Sequence, residues 1–344
     1  MNGNSLGLDR RVALRAFVAL VPFGVISAST LLPASPAGAA DAGSAAWPEK
    51  QIAYVVPFTP GGSTDVVGRT LAQKLTELLG KPVVVENRPG AGGGVGASHV
   101  AKAKPDGYTL FGGTISTHAI NASLYKNLPY DPVKDFEPVT LVAFLPNVLI
   151  VNPELKVNSV AELIDLLRKD PSKRNFASSG AGTSTHLAGE MFADMIGVPL
   201  SHIPYKGTPP AMVDVASGQV PFMFDQMTAA RTMVEGGKLK VIAVTTAKRM
   251  TTAPHLPTMA EAGVPGFAMS SWQAVYAPKG TPAPIIQRLN ADIVKILQMP
   301  DVKEKLTGLG MEIVGSSPQE LAELMNAEIP RWGELVRKSG ARAE

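Results

Sequence analysis

The stretch Ile52-Ala53-Tyr54-Val55-Val56-Pro57-Phe58-Thr59-Pro60-Gly61-Gly62-Ser63-Thr64-Asp65 carries the first decision about the fold. Residues 52–58 are a short apolar run rich in β-branched and aromatic side chains, as in a buried strand. The Pro-Gly-Gly that follows turns the chain. Val66, Val67, Leu71, Leu75, Leu78 and Leu79 then recur at helical spacing and Gly80 stops them, which predicts a helix over 64–79. A buried strand, a glycine turn and an amphipathic helix open a parallel sheet covered by helices.

Working outward, the alternation continues. Strands are expected over 82–87 and 108–111, with a helix at 98–102 between them. The capping box Ser159-Val160-Ala161-Glu162 opens a helix to 168. Strands over 175–178, 202–205, 221–224 and 241–245 follow, with helices over 184–195 and 210–217. Ser317-Pro318-Gln319-Glu320 caps the last long helix, with Pro at its first position. Two stretches differ: 145–153 and 270–278 are extended, apolar and bounded by Pro, and they flank a central block. They read as two crossovers between lobes, with the helices beyond Pro282 returning to the first. The expected fold is α/β and two-lobed. Lobe one takes 47–147 plus 275–344 and lobe two takes 148–274, each a parallel or mixed sheet covered by helices, able to close on a ligand by a hinge.

Composition limits the chemistry. The chain has 344 residues, 45% hydrophobic and 18% charged, with 32 Lys and Arg against 29 Asp and Glu. No concentrated basic face suggests nucleic acid. With no cysteine, disulfides, thiolate metal sites, Cys nucleophiles and a lipid-anchored N-terminal Cys are all excluded. Arg10, Arg11 and Arg15 precede a charge-free stretch over 16–40 that ends in small residues. This is the order of an export signal over 1–39, of Sec or twin-arginine type, with Ala37-Gly38-Ala39 as its cleavage site. The expected product is a soluble periplasmic protein.

Three loops could hold a ligand. Pro57 to Asp65 places paired glycines before a helix start, whose unpaired N–H groups and positive dipole end suit an anionic oxygen. A phosphate loop would continue with a Lys, which is missing here, so a carboxylate fits better. The same loop also reads as a plain strand–helix turn capped by Thr64 or Asp65. Ser178-Ser179-Gly180-Ala181-Gly182-Thr183-Ser184-Thr185-His186 repeats the arrangement in the central block, or is an ordinary cap by Thr183 or Ser184. In Pro204-Tyr205-Lys206-Gly207-Thr208, Tyr205 could wall a pocket and Lys206 attract acids. Thr114, Ser116 and Thr117 add hydroxyls, and Asp225 could receive a ligand amine or hydroxyl or cap the helix behind it.

Other motifs carry less. Gly92-Gly93-Gly94-Val95-Gly96-Ala97 matches a dinucleotide fingerprint, but the strand about twenty residues on ends in Gly112, Gly113 and Thr114 without an acid for a ribose. It reads as a close-packing turn. The five histidines form no i, i+4 pair, so neither a metal nor a cofactor is expected. Ser179, His186 and Asp225 could be drawn as a hydrolase triad, although no G-x-S-x-G elbow supports it.

These motifs together resemble the Bug family of periplasmic solute receptors, the binding proteins of tripartite tricarboxylate transporters. The resemblance rests on Pro60-Gly61-Gly62-Ser63-Thr64-Asp65, Val85-Glu86-Asn87-Arg88-Pro89-Gly90-Ala91-Gly92-Gly93 and Pro105-Asp106-Gly107-Tyr108-Thr109-Leu110. It continues through Ser179-Gly180-Ala181-Gly182-Thr183, Pro204-Tyr205-Lys206-Gly207, Pro257-Thr258-Met259-Ala260-Glu261-Ala262-Gly263 and Ala277-Pro278-Lys279-Gly280-Thr281-Pro282. It implies a flytrap fold, a carboxylated ligand held by amides, small hydroxyls and waters, and a membrane permease as partner. By motif position it places ligand contacts at Thr59, Gly61, Gly62, Ser63 and Asp65, and at Ser179, Gly180, Thr183 and His186. Tyr205, Gly207 and Asp225 would shape the pocket. A monomeric receptor is expected. The rival readings are a receptor that feeds a two-component sensor kinase, and a secreted hydrolase.

Overall fold

In the computed structural model the described residues are 47–250 and 252–339; the export signal expected over 1–39 lies outside them. The opening unit consists of β1 (Ile52–Val56), α1 (Ser63–Leu79), β2 (Val83–Asn87), α2 (Gly94–Ala101) and β3 (Thr109–Thr114). β1 pairs in parallel with both β2 and β3. A widened helical turn, Ser116–Ile120, runs on into the short α3 (Asn121–Leu124), and the long β4 (Phe136–Val151) follows.

The central block repeats the plan with α4 (Val160–Lys169), β5 (Asn175–Ser178), α5 (Ser184–Ile196), β6 (Ser201–Pro204), α6 (Thr208–Ala216), β7 (Phe222–Gln226), α7 (Met227–Glu235) and β8 (Lys240–Val244). β5 pairs in parallel with β6 and β7. The chain ends with β9 (Ser270–Pro278), α8 (Ala283–Leu297), α9 (Pro300–Gly308), β10 (Glu312–Ile313) and α10 (Pro318–Ser339). Both serine caps form: Ser159 Oγ accepts the Glu162 N–H at 3.2 Å and Ser317 Oγ that of Glu320 at 3.2 Å; Glu320 closes its box by accepting the Ser317 N–H at 2.8 Å, whereas Glu162 accepts the N–H of Asn158 instead.

The strands run in the order β2-β1-β3-β9-β4-β7-β5-β6, with β8 and β10 also on β4. β4 joins the two parts. Its first half pairs with β9 from Phe136↔Pro278 to Pro146↔Ser270, and its second half with β7 from Asn147↔Gln226 to Val151↔Phe222. The sequence predicts a crossover only over 145–153. The strand in fact begins at Phe136, and Pro138, which has no N–H to give a ladder, is accommodated at a register shift in the pairing with β9. The pattern over 92–97 also differs from a simple turn, since Gly94 to Ala97 form the first turn of α2.

Apolar burial holds these layers together. α1 packs on β1 and β3 and α8 on β4, with α9 beside β10, and Leu71, Leu75, Leu289 and Leu306 are buried in the cluster they share. α10 is tied to β9 through polar groups as well. The indole N–H of Trp332 donates to Glu328 Oε2 at 2.6 Å and that of Trp272 to the same oxygen at 3.4 Å, while Arg331 pairs with Oε1 at 2.8 Å. The two tryptophans, each about 1% exposed, are among the largest buried side chains. A mixed sheet covered by helices in two parts, joined by β4 and β9, is the periplasmic-binding-protein fold. Such sheets bind ligands beyond the carboxyl ends of their strands, where the topology reverses.

Candidate functional site

The loops that leave β1, β3, β5, β6 and β7 converge on one cavity. It is lined by Phe58, Gly62, Ser63, Thr64, Thr114, Ser116, Ser179, Thr183, Ser184, Thr208, Gln226, Ser271 and Gln273. Nine of these are Ser or Thr and none is charged. The cavity leaves about 30 Å3 to the centre of a water-sized sphere, room for a carboxylate head or about two waters at the ~10–15 Å3 each one needs. Beyond Phe58 and Ser179 a second chamber of about 220 Å3 opens, walled by Gly90 to Gly93, Tyr125, Gly180, Ala181, Tyr205 and Lys206. A small acid can therefore seat one end inside and extend outward.

The helix starts supply the donors. α1 begins after Gly62 with no side-chain cap, so the N–H groups of its first turn have no intrahelical partner. α7 begins uncapped after Gln226, and α6 begins uncapped at Thr208, where Pro209 and Pro210 leave Thr208 as the main donor. At α5 the Thr183 hydroxyl accepts the His186 N–H at 3.3 Å and donates to the Gly180 carbonyl at 2.7 Å. Desolvated amides and hydroxyls of this kind form charge-assisted bonds with an anion. Thr114 Oγ1 and Gln273 Oε1 are buried without a protein partner.

Contacts across the cavity join the two parts of the chain. Ser63 Oγ donates to Gln226 Oε1 at 3.2 Å, while Gln273 Nε2 donates to Ser63 Oγ and Thr64 Oγ1, each at 3.2 Å. Gln226 is braced by Asn147, whose Oδ1 accepts its Nε2 at 2.8 Å. Tyr125 donates to the Ala181 carbonyl at 3.2 Å. Backbone meets backbone closely at two glycines. A Cβ at Gly92 would stand 2.3 Å from the Ala181 oxygen, and one at Gly207 would stand 2.1 Å from Thr59 Oγ1.

Of the residues expected from the sequence, Gly62, Ser63, Thr114, Ser116, Ser179 and Thr183 line the inner cavity, with the cap candidates Thr64 and Ser184. Gly180, Tyr205 and Lys206 line the outer chamber, with the Tyr205 hydroxyl bound to Asp214. The others act from behind. Asp65 accepts the Gly61 N–H at 3.0 Å, Arg69 at 2.9 Å and Asn87 at 2.9 Å, so it shapes the glycine turn. Burial works to raise its pKa, but those hydrogen bonds outweigh it and hold the carboxyl below its ordinary value. Gly61 faces Pro209, and Thr59 and Gly207 meet each other. Thr117 is fully buried, its hydroxyl spent on Thr114 and His118.

His186 does not line the cavity either. Its Nδ1 accepts the Gly182 N–H at 3.3 Å, its Nε2 faces Glu190 at 3.4 Å, and its ring stacks on His202 at 3.9 Å. It braces the loop over 179–185. Burial, then the neighbouring His186, push His202 down to about 3, and its Nε2 meets Ser178 Oγ at 2.6 Å. Asp225 is fully buried behind Gln226, whose N–H it accepts at 2.7 Å. Ser179, His186 and Asp225 form no hydrogen bonds to one another, Ser179 Oγ instead meeting Thr185 Oγ1 at 2.9 Å. Among the described residues no group of His, Asp and Glu could hold a metal.

The sequence reading missed Gln226, Ser271 and Gln273. The last two had a signal: they are polar residues at period two in a strand whose remainder from Trp272 is otherwise apolar or aromatic, and so share one face. Gln226 had none, since only the fold puts the end of β7 beside α1.

A two-part α/β fold with an uncharged, amide- and hydroxyl-lined cavity at its strand ends defines a solute-binding protein. The chain belongs to the tripartite tricarboxylate transporter family receptor family, whose model matches residues 67–341. It is 41% identical to the protein BugT of Bordetella pertussis over 297 residues, covering 86% of this chain and 91% of that one. A protein of R. palustris solved with adipate is 42% identical with a TM-score of 0.84, covering 86% of this chain and 99% of its own. MatC of Rhodopseudomonas palustris, solved with bound malate, is 35% identical with a TM-score of 0.81, covering 84% and 100%. The Bug resemblance read from the motifs is thus the family of this protein.

Proposed function

We propose that this protein is a periplasmic receptor that captures a small carboxylate between two lobes, 47–147 plus 275–344 and 148–274. It then presents the ligand, as a monomer, to the membrane permease of a tripartite tricarboxylate-type transporter. One observation carries the reading: an uncharged cavity ringed by nine hydroxyls and by helix starts without side-chain caps. Such a site offers many donors and no fixed positive charge, which suits an anionic oxygen. The ligand-bound relatives carry adipate and malate. The first-turn N–H groups of Ser63 and Ser184 would then bind the carboxylate head, with Thr208 and Gln273 beside it, while Thr183, both of whose donors go to the Gly180 carbonyl, would hold the loop. Tyr205 and Lys206 would face its distal end. Closure on the ligand shifts the population toward one arrangement, which a membrane partner can read.

A thermal-shift screen of the exported protein against dicarboxylates, tricarboxylates, amino acids and aromatic acids tests this. A bound acid raises the melting temperature with concentration by mass action. If only neutral sugars shift it, the carboxylate assignment fails. If an ester or amide is turned over instead, the protein is a hydrolase.

A further inference from the structure

Met269, Asn147, Gln226, Ser63 and Gln273 form one directed chain of hydrogen bonds behind and along the cavity wall. Its direction is set at one end by an atom that can only accept. Asn147 Nδ2 faces Met269 Sδ at 3.8 Å, and a thioether sulfur has no hydrogen to give. The amide oxygen of Asn147 therefore faces the other way, where it accepts Gln226 Nε2 at 2.8 Å. Gln226 Oε1 in turn accepts the Ser63 hydroxyl at 3.2 Å, which spends the single hydrogen of that group. Ser63 Oγ is left with lone pairs, so Gln273 turns Nε2 to it and to Thr64 Oγ1, each at 3.2 Å. The chain ends on Gln273 Oε1.

That oxygen is buried with no hydrogen-bond partner among the described residues, and so is Thr114 Oγ1. The two residues oppose each other across β9 and β3, in the register Thr114↔Gln273, so their side chains share one face of the sheet. Both line the inner cavity. They differ in kind: the threonine hydroxyl can donate to an anion, whereas the amide oxygen can only accept. A plain carboxylate brings lone pairs alone and leaves Gln273 Oε1 desolvated and unpaired, which weakens binding about 5- to 150-fold. The missing donor belongs close to the head of the ligand. Gln273 Nε2 already touches the hydroxyls of Ser63 and Thr64, the first two residues of α1, where the head would sit.

We infer that Thr114 and Gln273 form a subsite for a hydrogen-bond donor on the carbon next to the carboxylate, so that this receptor selects a 2-hydroxy or 2-amino acid over the unsubstituted acid. A 2-hydroxyl gives its hydrogen to Gln273 Oε1 and accepts that of Thr114 Oγ1. A 2-ammonium gives hydrogens to both. Either completes the chain that starts at Met269 and leaves no buried acceptor unpaired in the wall. Discrimination of this kind is strong because the penalty falls on the acid that lacks the group: a site built around a hydroxyl or amine leaves its own polar atom bare when that group is absent.

The inference rests on the carboxylate reading of the cavity, and the test separates the two. Matched acids are titrated calorimetrically into the exported protein: malate against succinate, 2-hydroxyglutarate against glutarate, 2-aminoadipate against adipate, and mandelate against phenylacetate. In each pair that binds, one enantiomer of the substituted acid should bind about tenfold or more tightly than its plain partner. Gln273→Met keeps the length of the side chain and removes the acceptor, and Thr114→Val keeps the shape and removes the hydroxyl. Each should cost the substituted acid more than the plain one and bring their ratio of Kd values to within about threefold of one. A merely structural role would weaken both members of a pair alike and leave the ratio as it was. Should Gln273→Met fail to fold, Thr114→Val reads the same ratio. If the plain acid binds as tightly as its partner in every pair, or the ratio survives in the variants, the subsite is wrong and the capture reading stands. If no acid of the panel binds, the capture reading falls and the subsite with it.

Discussion

Gly207→Ala tests whether the contact between the two parts of the chain is needed for binding and not for folding. Gly207 has φ 160° and ψ 176°, extended backbone that alanine adopts without strain. The new Cβ, however, would meet Thr59 Oγ1 at 2.1 Å, the Thr59 nitrogen at 3.1 Å and Thr59 Cβ at 3.2 Å. Turning the Thr59 side chain relieves the first clash but neither of the others, so the loops after β1 and β6 must separate by several tenths of an ångström. Overpacking of this size costs about 1–3 kcal/mol. If the cost falls on the ligand-bound arrangement alone, Kd rises about 5- to 150-fold. Calorimetric titration with whichever panel acid binds measures this, and guanidinium unfolding of the ligand-free protein supplies the control. The expected result is a weakened Kd with an unfolding midpoint close to wild type. Adding Thr59→Gly, which removes both Oγ1 and Cβ, should recover most of the affinity. A Kd within about twofold of wild type, or an equal loss of ligand-free stability, would refute the reasoning.

Three further outcomes follow from the same geometry. Thr183→Ala removes the cap of α5 and the bond to the Gly180 carbonyl, so stability should fall by about 1 kcal/mol and ligand affinity should drop with it; unchanged affinity by calorimetry would remove Thr183 from the site. Ser317→Ala breaks the capping box of α10, far from the cavity, and should cost about 1 kcal/mol in chemical unfolding while leaving Kd unchanged. His118 is fully buried against Tyr276 at 3.7 Å, and burial lowers its pKa to about 3, below the 6.5 of the unfolded chain. The unfolded state therefore binds the extra proton between these values, and stability is lost as pH falls from about 6.5, by about 1.4 kcal/mol per unit from this group. His118→Phe keeps the stack and should flatten the acid limb of the stability profile by that slope, read from unfolding at several pH values.

Much of this protein was legible in its sequence because the signals are local. The apolar run over 52–56, the glycine turn and the helical spacing beyond it specify β1, α1 and the loop between them within a residue or two. The capping residues Ser159, Thr183 and Ser317 mark helix starts where hydroxyls accept backbone N–H groups. The hydroxyl-rich turns after β1 and β5 marked the walls of the shared cavity for the same reason: helix starts depend on only a few consecutive residues. What each side chain does at a distance was decided by the tertiary structure. Asp65 and His186 sit in the loop motifs, yet they turn inward to brace backbone, because their partners Asn87 and His202 lie on other strands. Gln226 and Gln273, from strands nearly fifty residues apart in the chain, reach the cavity only because β4 and β9 carry both halves of the sheet past α1. Short-range pattern encodes the elements and their ends. Which polar atoms share a desolvated space depends on long-range strand pairing, and no window of the sequence contains that.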